Sequence, residues 1–143
     1  MIRQIIFSFF STMGFAILFN IPKDTIIKSG IVGALGWFIN LNISNIFDSA
    51  IAGTFSAALA VGIMGEILSR NFRKPATIYI IPGIIPLVPG AGMYYTMFAL
   101  IGKNFSDAAN LGTETLFIAV AIASGIIISS TLSYSIKRVR NKS

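Results

Sequence analysis

The sequence predicts an all-α integral membrane protein of about five transmembrane helices, the fourth of them broken by a Pro/Gly-rich segment. Three observations carry that expectation. Only 11% of the 143 residues are charged and 55% are hydrophobic, with a mean hydropathy of +0.80, where a soluble domain holds about 25% charged residues. The apolar residues fall into five segments, about 2–21, 29–46, 50–68, 76–102 and 116–136, and about 20 apolar residues cross the roughly 30 Å hydrocarbon core as a helix. The fourth segment contains IPGIIPLVPGAGMYY, Ile81 to Tyr95, which sets three prolines and three glycines among Ile, Leu and Val. That stretch is too apolar for a water-exposed loop and too broken for one straight helix.

The first segment begins with a weak basic start, Met1-Ile2-Arg3, and ends in Asn20-Ile21-Pro22-Lys23 without a small-x-small cleavage site, so it is expected to be an uncleaved span. Segments two, three and five carry small residues at helical spacing: Gly30, Gly33 and Gly36; Gly53/Ala57 and Ala58/Gly62; Ala121/Gly125. In lipid such residues let helices approach closely. Packing within the chain is the plain reading, and a homo-oligomer face is the alternative. With short connections and a brief tail from Lys137, the chain 1–143 is expected to be a single transmembrane domain.

Orientation follows from counting Lys and Arg. If all five segments cross, one face holds Lys23, Lys28, Arg70, Arg73, Lys74, Lys137, Arg138, Arg140 and Lys142, and the other only Arg3 and Lys103. The N-terminus is then outside the cell membrane and the C-terminus cytoplasmic. This count also requires the broken segment to make a net crossing. The net charge of +6 therefore points to membrane orientation and lipid headgroups rather than to nucleic acid.

Within the fourth segment, Pro82, Pro86 and Pro89 cannot donate to the carbonyls of Ile78, Pro82 and Ile85, and Gly83, Gly90 and Gly92 weaken helix further. Lipid does not tolerate unsatisfied backbone, so an unwound stretch must be buried in protein or face a water-filled cavity. Pro89-Gly90 reads as the start of a half-helix running on through Tyr94 and Thr96, whose N-terminal end at membrane depth suits an anionic group of a solute. The expected substrate path is Pro82, Gly83, Pro86, Pro89, Gly90, Gly92, Tyr94 and Thr96. The alternative is a kinked helix that merely packs. Trp37, Tyr94 and Tyr95 also suit an interfacial aromatic belt.

Glu66 is the one acid inside a span and so a candidate for ion coupling. Arg70, four residues on, offers a structural partner instead. The chain has no His and no Cys, which removes thiol chemistry, His bases and the usual metal ligands, and no cofactor or metal is expected. No Walker A pattern is present, so ATP is not expected to be used by this chain. An intramembrane enzyme is correspondingly disfavoured.

The stretch KPATIYIIPGIIPLVPGAGMYYTMFALIG (74–102), with GFAILFNIP (14–22), GALGWFI (33–39) and FSAALAVGIMGEILSR (55–70), resembles the threonine/serine exporter (ThrE) family, in its small YjjB-like subunit. The resemblance implies a secondary exporter of small amino acids or, in some members, of a dicarboxylate such as succinate. It also implies a larger YjjP-like membrane subunit as partner. A non-transporting assembly subunit is the alternative to an exporter half.

Overall fold

The computed structural model describes residues 1–140, with side chains through residue 135. The side chains of Lys137, Arg138 and Arg140, and Lys142 altogether, lie outside the described residues, so the tail's share of the basic count is not visible in the fold.

The described chain is all helix: α1 (Ile2–Leu18), α2 (Lys23–Phe47), α3 (Ala50–Phe72), α4 (Thr77–Ile84), a 3-10 turn (Ile85–Leu87), α5 (Gly90–Ile101) and α6 (Phe105–Arg140). Three of these, α2, α3 and α6, are long and apolar enough to cross a membrane. The segment Thr77–Leu87 and α5 together make a fourth crossing, bent by 50°. At 17 residues, α1 is about 25 Å long, slightly short of the hydrocarbon core, and makes the count of five approximate.

One local device turns the chain at each end. α1, α2, α3 and α5 are each followed by a left-handed residue, respectively Asn20, Asp48, Arg73 and Lys103, with φ between 48° and 57°. The residue after each donates back five positions: Ile21 to Ala16, Ser49 to Ser44, Lys74 to Ser69 and Asn104 to Ala99. These are Schellman closures, which satisfy the last carbonyls of a helix. A new helix starts at once. Pro22 follows the first turn, the Ser49 side chain accepts from the Ala52 N–H at 3.3 Å, and Asn104 Oδ1 accepts from the Asp107 N–H at 3.4 Å.

Two bounds differ from the sequence expectation. α2 starts at Lys23 rather than near 29, because its basic first turns are helical ends in the polar zone rather than loop. α6 starts at Phe105 rather than near 116. Residues 105–115 are polar enough to hide from a hydropathy count, yet they pair with α5 as a helical hairpin: Gly92 faces Thr115, and Gly112 faces Thr96.

The core is centred on α3, which packs on α2, α4 and α6. Val32, Ala57, Ala58, Val61, Leu87 and Ile122 form its buried cluster. The small residues are spent on these crossings. A methyl on Gly33 would strike Thr12, one on Gly36 would meet Val61 at 2.5 Å, and one on Gly62 would strike Ser129 Oγ. In contrast, Ile2, Phe7, Phe10, Ile101, Phe105 and Leu116 are all more than half exposed, an outer surface fit for lipid or a partner helix rather than for water.

Candidate functional site

The break has donors within reach of each carbonyl that its prolines strand, one from another helix and two from three residues on. Pro82 leaves the Ile78 carbonyl without its helical donor, and the Ser29 hydroxyl of α2 sits 3.1 Å from that oxygen. Pro86 removes the donor for the Pro82 carbonyl, which accepts instead from the Ile85 N–H. Pro89 removes the donor for the Ile85 carbonyl, which accepts from the Val88 N–H at 3.2 Å. These two i→i+3 bonds tighten the chain into the 3-10 turn. Pro89 then has φ −79° and ψ 57°, an inverse γ-turn, with the Gly90 N–H donating to the Val88 carbonyl at 2.8 Å. The non-helical part is thus only Val88 and Pro89. The Ala91 and Gly92 N–H groups are the ones left over at the start of α5.

The expected path residues fall on different surfaces. Pro82 and Gly83 are buried in the core, with Gly83 against Val32 and Val61. Pro86 lines an open cleft toward α1 and α2. Pro89 lies in an apolar groove toward α6 with Ile84, Val88 and Met93. Gly90 is exposed, and a methyl there would meet nothing within 4 Å. Gly92 packs on Thr115, and the Thr96 hydroxyl donates to the Gly92 carbonyl at 2.7 Å. Tyr94 is 63% exposed and stacks with Phe98 at 6.2 Å between ring centroids. No residue of α5 is buried, and α6 is its principal neighbour.

The cleft at Pro86 has a volume of about 250 Å³ and is walled by Gln4, Phe7, Ser8, Ser11, Trp37 and Pro86. Gln4, Ser8 and Ser11 stand at i, i+4 and i+7, one face of α1. The Ser8 hydroxyl donates to the Gly33 carbonyl at 3.0 Å and ties α1 to α2. The sequence reading passed over this stripe. Polar positions at helical spacing in an apolar span were the signal available for it.

Glu66 and Arg70, expected as a pair on α3, meet instead through α6. Arg70 Nη2 donates to Ser133 Oγ at 2.6 Å and to the Ser133 carbonyl at 2.7 Å, and Ser133 Oγ donates to Glu66 Oε2 at 2.9 Å. A cleft of about 260 Å³ opens beside them, lined mainly by Ile63, Ile67, Ser129 and Leu132. The ion pair present among the described residues is Lys74–Asp24, between the start of α2 and the turn before α4. Nearby, the Lys28 ammonium lies 3.5 Å from the centre of the Phe72 ring. The N-terminal end of α2, the C-terminal end of α3 and the start of α4 therefore share one end of the bundle, and Arg70 adds the far part of α6 to it.

Residues 4–132 match the family model described as threonine/serine exporter, ThrE. The chain belongs to the threonine/serine exporter family. It is 27% identical over 147 aligned positions to an uncharacterized protein of Haemophilus influenzae, a match covering 97% of this chain and 50% of that relative. It is 33% identical over 86 positions to the threonine/serine exporter of Corynebacterium glutamicum, covering 57% of this chain and 17% of that relative. The chain thus spans half or less of the length of these relatives. No solved structure matches it. With its apolar helices, membership in this transporter family makes it a multi-pass membrane protein.

Proposed function

We propose that this chain is the small subunit of a secondary exporter that moves small carboxylate-bearing metabolites, threonine and serine or a dicarboxylate such as succinate, out of the cytoplasm. It works with a larger YjjP-like membrane subunit. The observation that carries this reading is the broken span of an exporter-family chain, which sets Pro86 at an open cleft with Gln4, Ser8, Ser11 and Trp37 on one side and leaves α5 exposed on the other. Transporters place solute sites at such discontinuous helices. One feature supports a partner: α5 packs chiefly on α6, and none of its residues is buried. The basic end that gathers Lys28, Arg70 and Lys74 faces the cytoplasm by the positive-inside rule, which puts the N-terminus outside the cell membrane.

A second reading draws on the break itself. Its three stranded carbonyls all find donors, as they would in a kinked helix that only packs, and this favours an assembly subunit without a transport role. Efflux of labelled threonine, serine and succinate from cells holding this chain, the partner, or both separates the two. Export that needs both proteins, and fails with point variants at Pro86 or Gly90 in an intact complex, supports the exporter. Export unaffected by such variants supports the assembly subunit.

A further inference from the structure

The register of α6 against its neighbours sets α5 apart from the rest of the fold. A methyl on Gly125 would press on Ala58, and one on Gly62 would strike Ser129, so α3 and α6 lie side by side and run parallel. α3 begins at Ala50, eight residues before Ala58, and its start is therefore level with Phe117 of α6. Residues 105–116 run on for about 18 Å past the α2–α3 turn, at the end of the bundle away from Arg70 and Lys74. α5 lies along this overhang, with Gly92 against Thr115 and Thr96 against Gly112.

The two helices of the overhang differ in chemistry. On α6, Asp107, Asn110, Thr113 and Glu114 are exposed, a surface for water rather than for hydrocarbon. Residues 116–136 of the same helix already account for the roughly 30 Å hydrocarbon core. On α5 and the turn after it, Tyr94, Met97, Phe98, Ile101 and Phe105 are between 61% and 80% exposed. Lipid tails do not reach this level, so an apolar face here needs protein over it. At roughly 600 Å² per chain for these five side chains, two such faces together clear the ~1,000 Å² of a specific interface.

The pattern of the face points to its cover. Gly90, Tyr94, Met97 and Ile101 are spaced four, three and four, the 3.5-residue repeat by which parallel helices pair. Gly90 is exposed with nothing near its Cβ position, which lets a second backbone approach closely. Two copies in one membrane with the same orientation are related by a two-fold axis along the membrane normal. Their α5 helices then run parallel, and each seam residue meets its own copy. α5 carries no charge to repel itself, and the facing Tyr94 rings can stack. At the tip, Lys103 and Asp107 bring opposite charges that can pair across the axis. We propose that two copies of this chain pair along α5 through Gly90, Tyr94, Met97 and Ile101.

The chain has no cysteine, so single cysteines report contact without background. In membranes holding the full chain, Tyr94→Cys and Ile101→Cys are expected to form disulfide-linked dimers under mild oxidation. The rate should exceed that of Thr113→Cys, on the polar face of α6, at least about tenfold, because pairing holds the two thiols at high effective concentration. Purified in mild detergent, the native chain is expected to be a dimer by light scattering. Met97→Glu and Ile101→Glu put a carboxylate into the seam and should raise the dimer dissociation constant at least about tenfold at unchanged helical content. Cross-linking at Tyr94 and Ile101 no faster than at Thr113, a monomer in detergent and bilayer alike, or dimers unchanged in both Glu variants overturns the proposal. Loss of the α5 cross-links on co-expression of the larger subunit gives the face to that subunit and overturns it too; cross-links that persist support it. Efflux is read separately, so failure of the pairing leaves the exporter reading standing.

Discussion

Ser29 of α2 stands 3.1 Å from the carbonyl of Ile78, the oxygen that Pro82 deprives of its helical partner. Ser29 is fully buried, and the same hydroxyl lies 3.1 Å from the Thr25 carbonyl. Its proton therefore has a local acceptor on its own helix and a long-range one at the break. The proline in α4 and the serine in α2 act as one unit: one opens a backbone bond and the other closes it across a helix interface.

That coupling is measurable. Ser29→Ala should lower stability by about 1 kcal/mol, since it strands a buried acceptor. In a Pro82→Ala background the new N–H at position 82 can serve Ile78, and the effect of Ser29→Ala should fall toward zero. A double-mutant cycle of thermal unfolding in detergent reads the difference. Additive effects would mean that Ser29 serves Thr25 and not the break.

The cluster of Glu66, Ser133 and Arg70 yields a second prediction. Ser133 is the only link between the acid and the guanidinium among the described residues, so Ser133→Ala should perturb both side chains at once. Glu66→Gln keeps a carbonyl acceptor for Ser133 and should change stability by less than about 1 kcal/mol, as partly exposed charge interactions do. If Glu66 carries the coupling proton, that same variant abolishes uphill export and spares downhill exchange. Uphill export at the normal rate would leave Glu66 as a structural tie between α3 and α6.

Orientation is the third. Lys28, Arg70 and Lys74 gather at one end of the bundle, and the positive-inside rule assigns that end to the cytoplasm. A reporter active only outside the cytoplasm should be silent at the C-terminus and active at the N-terminus. The reverse pattern would overturn the orientation, and the same reporter result at both termini would overturn the net crossing of residues 77–101.

Much of this architecture was legible in the sequence, and what was not has physical causes. Three prolines in eight positions announced the break at Pro82–Pro89, because a missing N–H is a local property. What meets the Ile78 carbonyl was not legible, because Ser29 is 49 positions from Ile78 and sequence spacing carries no information about that meeting. The helical start at Phe105 was hidden for a different reason. Asn104 and Asp107 are a cap pattern, but the polar run through Glu114 lowers hydropathy, and its helix is held by α5 rather than by lipid. Glu66 and Arg70 had the right spacing for a pair on one helix. Ser133 intervenes because α6 lies against that face, which only the packing reveals. At the candidate path the sequence picked out the breakers themselves, and it missed the polar face of α1 that the break meets.

The last prediction sets two glycines against each other. Gly125 of α6 packs so closely on α3 that a methyl would sit 2.9 Å from both Ala58 Cβ and the Phe55 carbonyl, and 3.0 Å from the Leu59 nitrogen. Gly125→Leu must push the helices apart, and overpacking of this kind costs about 1–3 kcal/mol or more, so folding or assembly should suffer. Gly90 is the opposite case. Its φ is not positive, and a Cβ there meets nothing within 4 Å of the rest of the chain. It sits in the first turn of α5, where replacing glycine in a helix gains up to about 1 kcal/mol. Gly90→Leu should therefore insert and melt like the native chain or slightly above it. Whatever it damages must come from outside this chain, a solute or a partner helix. On the exporter reading, efflux normalised to the inserted, partner-bound fraction should collapse for Gly90→Leu. A smaller effect is expected for Pro89→Ala, which still permits α5 to start. Normal efflux by Gly90→Leu on that basis would place the mouth of α5 off the solute path. Loss of partner binding with intact folding would assign the same open surface to the subunit interface.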